Sequence, residues 1–167
     1  MARALSVLLL LTGVAAPASS ADRLSFAEEQ SLPTWLRDAL AASAREVLPC
    51  SCLNPFYQRA DFDGDGRGDY AVVVRHSTSG KRGIAFVHRR GAAVHVVGAG
   101  RPIGNGGDDL TWMDAWRVVE RGPISRGAAG GPPPVLRGDG LLVEKTESAS
   151  AILWWDGARY RWYQQGD

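Results

Sequence analysis

The chain has 167 residues, with 19 Lys and Arg against 18 Asp and Glu, a formal net charge of +1, and 45% hydrophobic residues. That composition supports a folded core and offers no basic surplus, which argues against nucleic acid or an anionic membrane as the main partner. The apolar run near the N-terminus is too short to span a bilayer.

Met1-Ala2-Arg3 reads as a short basic n-region, Ala4 to Ala16 as an apolar h-region, and Ser19-Ser20-Ala21 as small residues before a cut at Asp22. The expectation is a secretory signal over 1–21, followed by one globular domain over 22–167 in the periplasm or outside the cell. No cysteine stands at the cleavage point, so a lipid anchor is not expected. Removing Arg3 leaves 18 basic and 18 acidic residues.

Ser25-Phe26-Ala27-Glu28 has capping-box spacing and predicts a short helical turn. A longer helix is predicted over 33–48. Pro33 suits its first position, and Leu36, Leu40, Ala44 and Val47 recur at three- and four-residue steps. Arg37, Asp38, Arg45 and Glu46 fall mostly off that stripe, and Pro49 ends it. Cys50 and Cys52 are the only cysteines, and in an oxidising compartment they are expected to pair.

The most informative stretch is Asp61-Phe62-Asp63-Gly64-Asp65-Gly66-Arg67-Gly68-Asp69, followed by Tyr70-Ala71-Val72-Val73-Val74. Aspartates at positions 1, 3, 5 and 9, with the Arg67 carbonyl at position 7, supply hard oxygen ligands at a spacing that suits Ca²⁺. Gly66 stands at position 6, where such a loop turns sharply. Without a cation, four carboxylates this close repel one another and raise their own pKa values. An EF-hand needs a glutamate at position 12 and flanking helices; position 12 here is Val72, inside a β-branched run. The loop therefore leads into a strand, and that strand is apolar enough to be covered on both faces.

Asp61 to Asp69, the strand Tyr70–Arg75, the turn Ser77-Thr78-Ser79-Gly80 and a second strand Gly83–His88 together resemble one FG-GAP (VCBS-type) repeat, over about residues 57–91. Such repeats are the calcium-bearing blades of integrin-type β-propellers, and the resemblance implies Ca²⁺ ligation by Asp61, Asp63, Asp65 and Asp69. The sequence holds one such segment, whereas a propeller typically needs about four to eight blades.

A third strand, Ala93–Val97, would complete an antiparallel meander, with His88 and His95 on neighbouring strands. Polar residues on a solvent-facing side are the default for that pair; a metal or proton-relay role is the alternative. The glycine-rich loop Gly98–Gly107 lacks a phosphate-cradle pattern. Asp108, Asp109, Trp112 and Trp116 then form a second candidate ligand site. The competing reading is a helical turn, capped by Asp108 or Asp109, that carries both tryptophans into the core. Residues 121–140 are expected to form a flexible Gly/Pro-rich loop. Leu141–Lys145, Ala151–Trp155 and Arg159–Gln164 read as strands, the last two joined by an Asp156-Gly157 turn.

The expected fold is α+β: an N-terminal helix packed on a mainly antiparallel sheet of about six strands, with the Asp-rich calcium loop before the first strand. The expected function is that of a bacterial-type exported calcium-binding domain, non-enzymatic, structural or binding an unidentified protein or glycan. The alternative is a glycan-acting hydrolase using Asp108, Asp109, Asp114, Glu144 and Glu147. Arg67-Gly68-Asp69 spells an adhesion tripeptide, but Asp69 is better used as a calcium ligand.

Overall fold

A computed structural model describes residues 23–128 and 130–166. The expected signal peptide lies outside the described residues. Among the described residues, no helix is long and apolar enough to cross a membrane.

Helix α1 (Phe26–Ser31) begins with the capping box that its spacing predicts: Ser25 Oγ accepts from the Glu28 N–H, and the Glu28 carboxylate accepts from the Ser25 N–H. Helix α2 (Thr34–Ser43) is shorter than the predicted 33–48. Pro33 is its N-cap rather than its first residue. The helix ends early because Val47–Pro49 is taken up as strand β1. The residue before a proline is driven out of the helical region, and Pro49, which has no N–H to donate, suits a sheet edge.

Among the described residues, nine strands form two antiparallel sheets where one sheet of about six is expected. In the first, β1 (Val47–Pro49), β3 (Asp69–His76), β4 (Arg82–Val87) and β5 (Val94–Gly98) lie in that order, and β2 (Tyr57–Ala60) also pairs with β3. The second is a plain meander of β6 (Ala115–Val119), β7 (Gly140–Lys145), β8 (Ala149–Trp155) and β9 (Tyr160–Gly166). Two short strands, β1 and β2, therefore precede the Asp-rich loop. The weak apolar alternation of β1, β2 and β6 hides them from a periodicity reading.

The two faces of β3 serve two cores. Val72 and Val74 meet Leu36 and Leu40 of α2, together with Ala85 and Val87 of β4. Ala71 and Val73 point the other way, to Ile84, Phe86, Leu141, Val143 and Leu153 between the sheets. The molecule is thus a helix layer on a sheet on a second sheet. Each such buried aliphatic side chain contributes roughly 1.5–3 kcal/mol of burial. Cys50 and Cys52 are joined by a disulfide, and Cys50 is buried in the inter-sheet core.

This architecture holds the Asp-rich loop at the β2–β3 connection. Phe62, inside the loop, is fully buried and meets Phe86 edge to face at 5.3 Å. With Phe62 anchored in the core, the flanking Asp61 and Asp63 stay only half-buried at the rim.

Candidate metal centre

Within the loop the carboxylates organise the backbone by short-range hydrogen bonds. Asp61 accepts from the N–H groups of Gly64 at 2.9 Å and Gly66 at 3.0 Å. Asp63 accepts from the Asp65 N–H at 3.0 Å, and Asp65 from the Arg67 N–H at 2.9 Å. Gly66 has φ +85°, a left-handed conformation that costs a side-chain-bearing residue and that this position of the loop requires.

Two overlapping groups of donor atoms result. Asp61, Asp63 and Asp65 offer oxygens within 4.8 Å of one another, and so do ligand atoms of Asp63, Asp69 and His88. Asp63 belongs to both. A cation fits the first group on a specific observation: Asp65 Oδ2 is buried with no hydrogen-bond partner among the described residues. A buried carboxylate oxygen without a donor is costly unless something positive meets it. The residues present can hold a metal ion, and the all-oxygen set of Asp61, Asp63 and Asp65 suits a hard cation.

Asp69 is 0% exposed. Its Oδ2 accepts from the Asp63 N–H at 3.2 Å and its Oδ1 from the Arg89 N–H at 2.6 Å. Burial pushes its pKa up to about 6, and the charges of Asp63 and Asp65 push the same way against those two N–H bonds. The carboxylate of the Arg67-Gly68-Asp69 tripeptide is therefore inside the protein, away from any surface receptor.

His88 and His95 do lie together, with ring centroids 4.8 Å apart, but not on a solvent-facing side. His88 is 4% exposed, enclosed by Trp155 and Tyr160 of the second sheet. Its Nδ1 lies 3.5 Å from Asp63 Oδ2, and its Nε2 shares a 2.9 Å hydrogen bond with Tyr160 Oη. Burial pushes the His88 pKa down, against the pull of Asp63 and Asp65.

The second sheet reaches the loop through Asp139. Asp139 Oδ2 accepts from the Asp61 N–H at 3.0 Å, while the Asp139 N–H donates to the Asp61 carbonyl at 2.7 Å. Asp139 Oδ1 also accepts from the Arg121 N–H, which closes the two ends of the 121–140 segment on each other. The backbones touch here: a Cβ on Gly138 would come 2.3 Å from the Asp61 carbonyl oxygen. His88, Tyr160 and Asp139 are not legible in the sequence as neighbours of the loop: β3–β4 pairing brings His88 there, and the packing of the second sheet on the first brings Tyr160 and Asp139.

The four residues of the second candidate site part company. Asp108 pairs with Lys81, and Asp109 Oδ1 accepts from the N–H groups of Arg82 at 2.9 Å and Thr111 at 3.0 Å. Trp116 is 6% exposed in the inter-sheet core, its Nε1–H donating to the Pro55 carbonyl at 2.8 Å. It lies on β6 and not on a helical turn, because pairing with β7 sets Trp116 opposite Val143. Trp112 is half-buried beside Trp162, with its Nε1–H donating to the Gly106 carbonyl. Asp114, offered for acid–base chemistry, is held by Thr146 and Lys145, which bring its pKa down to about 2.

No family model matches this chain, and neither a curated protein nor a solved structure does.

Proposed function

We propose that this chain is an exported, calcium-stabilised domain that acts without catalysis as a binding or structural module in the periplasm or outside the cell. The observation that carries the metal part is the buried, unpartnered Asp65 Oδ2 beside the oxygens of Asp61 and Asp63. Calcium is the reading for the ion, since the loop spacing and its resemblance to an FG-GAP repeat both point to it and oxygens predominate. Asp61, Asp63 and Asp65 would hold the ion. Asp69, which accepts from the Asp63 N–H, would keep the loop closed around it. When bound, the ion supplies positive charge to a cluster that otherwise repels itself.

At free Ca²⁺ about ten times the dissociation constant, binding adds about 1.4 kcal/mol to folding, a useful fraction of typical domain stability. The test is thermal unfolding of the mature chain in EGTA and in about 1 mM Ca²⁺, a concentration typical of extracellular sites. A rise in Tm with Ca²⁺ that Asp63→Ala loses supports the reading. An unchanged Tm in the wild type rejects it.

A further inference from the structure

A second concavity lies away from the loop, between the 3₁₀ turn Gly104–Gly106, the β7–β8 turn and β9. Its volume is about 510 Å³, within the roughly 300–1,000 Å³ typical of small-molecule sites. We propose that this groove binds a neutral saccharide. The proposal rests on the reading of the chain as a binding module and names the partner class.

The groove has two aromatic walls. Trp112 and Trp162 meet edge to face, ring centroids 6.2 Å apart at 76°. Both indole N–H groups are satisfied by the protein: Trp112 donates to the Gly106 carbonyl at 3.1 Å and Trp162 to Gln164 Oε1 at 3.0 Å. What the indoles offer a ligand is therefore π surface, which suits the C–H face of a pyranose ring. The Gly104–Gly106 turn lies against Trp162, where a Cβ on Gly106 would come 2.6 Å from the ring. That backing fixes the indole before any ligand arrives, which lowers the cost of binding.

The rim is polar and uncharged in effect. Asn105, Ser148 and Ser150 line the groove, and their side chains have no hydrogen-bond partner among the described residues. Hydroxyls around a sugar match such a set of neutral donors and acceptors. Among the described residues, the one charged lining residue is Lys145, whose Nζ is paired with Asp114 at 3.1 Å. An anion thus finds no free positive charge among the described lining residues. An added peptide strand fits poorly, because the Ala128 N–H already donates to the Gln165 carbonyl on the open side of β9.

The test is calorimetric titration of the Ca²⁺-loaded mature chain with tetrasaccharides of β-1,4-linked glucose and of β-1,4-linked N-acetylglucosamine, and with tetragalacturonate as the anionic control. One neutral tetrasaccharide is expected to bind with Kd below about 1 mM, and Trp112→Ala to weaken it at least about tenfold. Asn105→Ala and Ser148→Ala, both at exposed positions, are each expected to weaken it about threefold or more, and they decide the matter if Trp112→Ala does not fold. No binding of either neutral sugar up to about 10 mM, binding of the anion alone, or binding that the exposed-site variants leave unchanged overturns the proposal. Sugar binding without a Ca²⁺-dependent Tm shift removes the metal reading and keeps this one; the reverse result removes this one alone.

Discussion

The backbone N–H of Asp63 donates to Oδ2 of Asp69 at 3.2 Å, so the last acid of the loop grips its third residue across five intervening positions. Asp69 is itself the first residue of β3, clamped on its other oxygen by the Arg89 N–H. The loop is closed by a side chain that the sheet holds. Asp69→Ala leaves both N–H donors without that acceptor, at a cost of about 1–3 kcal/mol each where no water replaces it. The expected outcome is a clearly lower denaturant midpoint in EGTA and loss of the Ca²⁺-dependent increment. An unchanged midpoint would show that this carboxylate does not hold the loop shut.

The approach of Gly138 to the loop gives a second prediction. A methyl group there would press on the Asp61 and Phe62 carbonyl oxygens, at 2.3 Å and 2.6 Å from its ideal position. Gly138→Ala must push the 121–140 segment off the loop, costing about 1–3 kcal/mol in the manner of overpacking and weakening Ca²⁺ affinity. Calorimetric titration with Ca²⁺ checks it; wild-type affinity in the variant would mean that the second sheet takes no part in shaping the loop.

Tyr160 ties the two sheets, stacked on Phe86 at 3.7 Å and hydrogen-bonded to His88. Burial pushes its hydroxyl pKa well up, so it is a neutral phenol at working pH. Tyr160→Phe keeps the ring and deletes only the partner of a buried imidazole nitrogen. The expected loss is about 1–3 kcal/mol, read from urea unfolding. Tyr160→Leu should cost more, through the lost ring.

Asp114 supplies the pH prediction. Its carboxyl accepts from the Thr146 N–H and Oγ1–H, each at 2.8 Å, and pairs with Lys145. Its folded pKa of about 2 lies below its ordinary value of 3.8, so its contribution is present above that ordinary value and is lost as pH falls from about 4 through about 2. Wild type should therefore out-melt Asp114→Asn at neutral pH, and the gap should close toward pH 2. The group is exposed, so solvent and salt screen its charge and the gap should be small. A gap that stays constant down to pH 2 would assign the effect to shape rather than to charge.

Whatever depends on neighbours a few residues apart is legible in the order of the residues. The Ser25–Glu28 capping box, the Asp61–Asp69 spacing, the sharp turn at Gly66 and the doubly buried Val72–Val74 run are local patterns with local physical causes, and all are legible. The α2 stripe is legible too, but it predicts a helix that runs too far, because the pull of the sheet edge on Val47–Pro49 is not written at helical spacing. The rest follows from contacts between distant segments. The division of the strands into two sheets sets Asp139 against Asp61, Tyr160 against His88, and Trp162 against Trp112. Those partners are separated by 50 or more positions, and what brings them together is the burial of one face of each sheet against the other. Periodicity shows that such a face exists but not which residue of another strand will meet it.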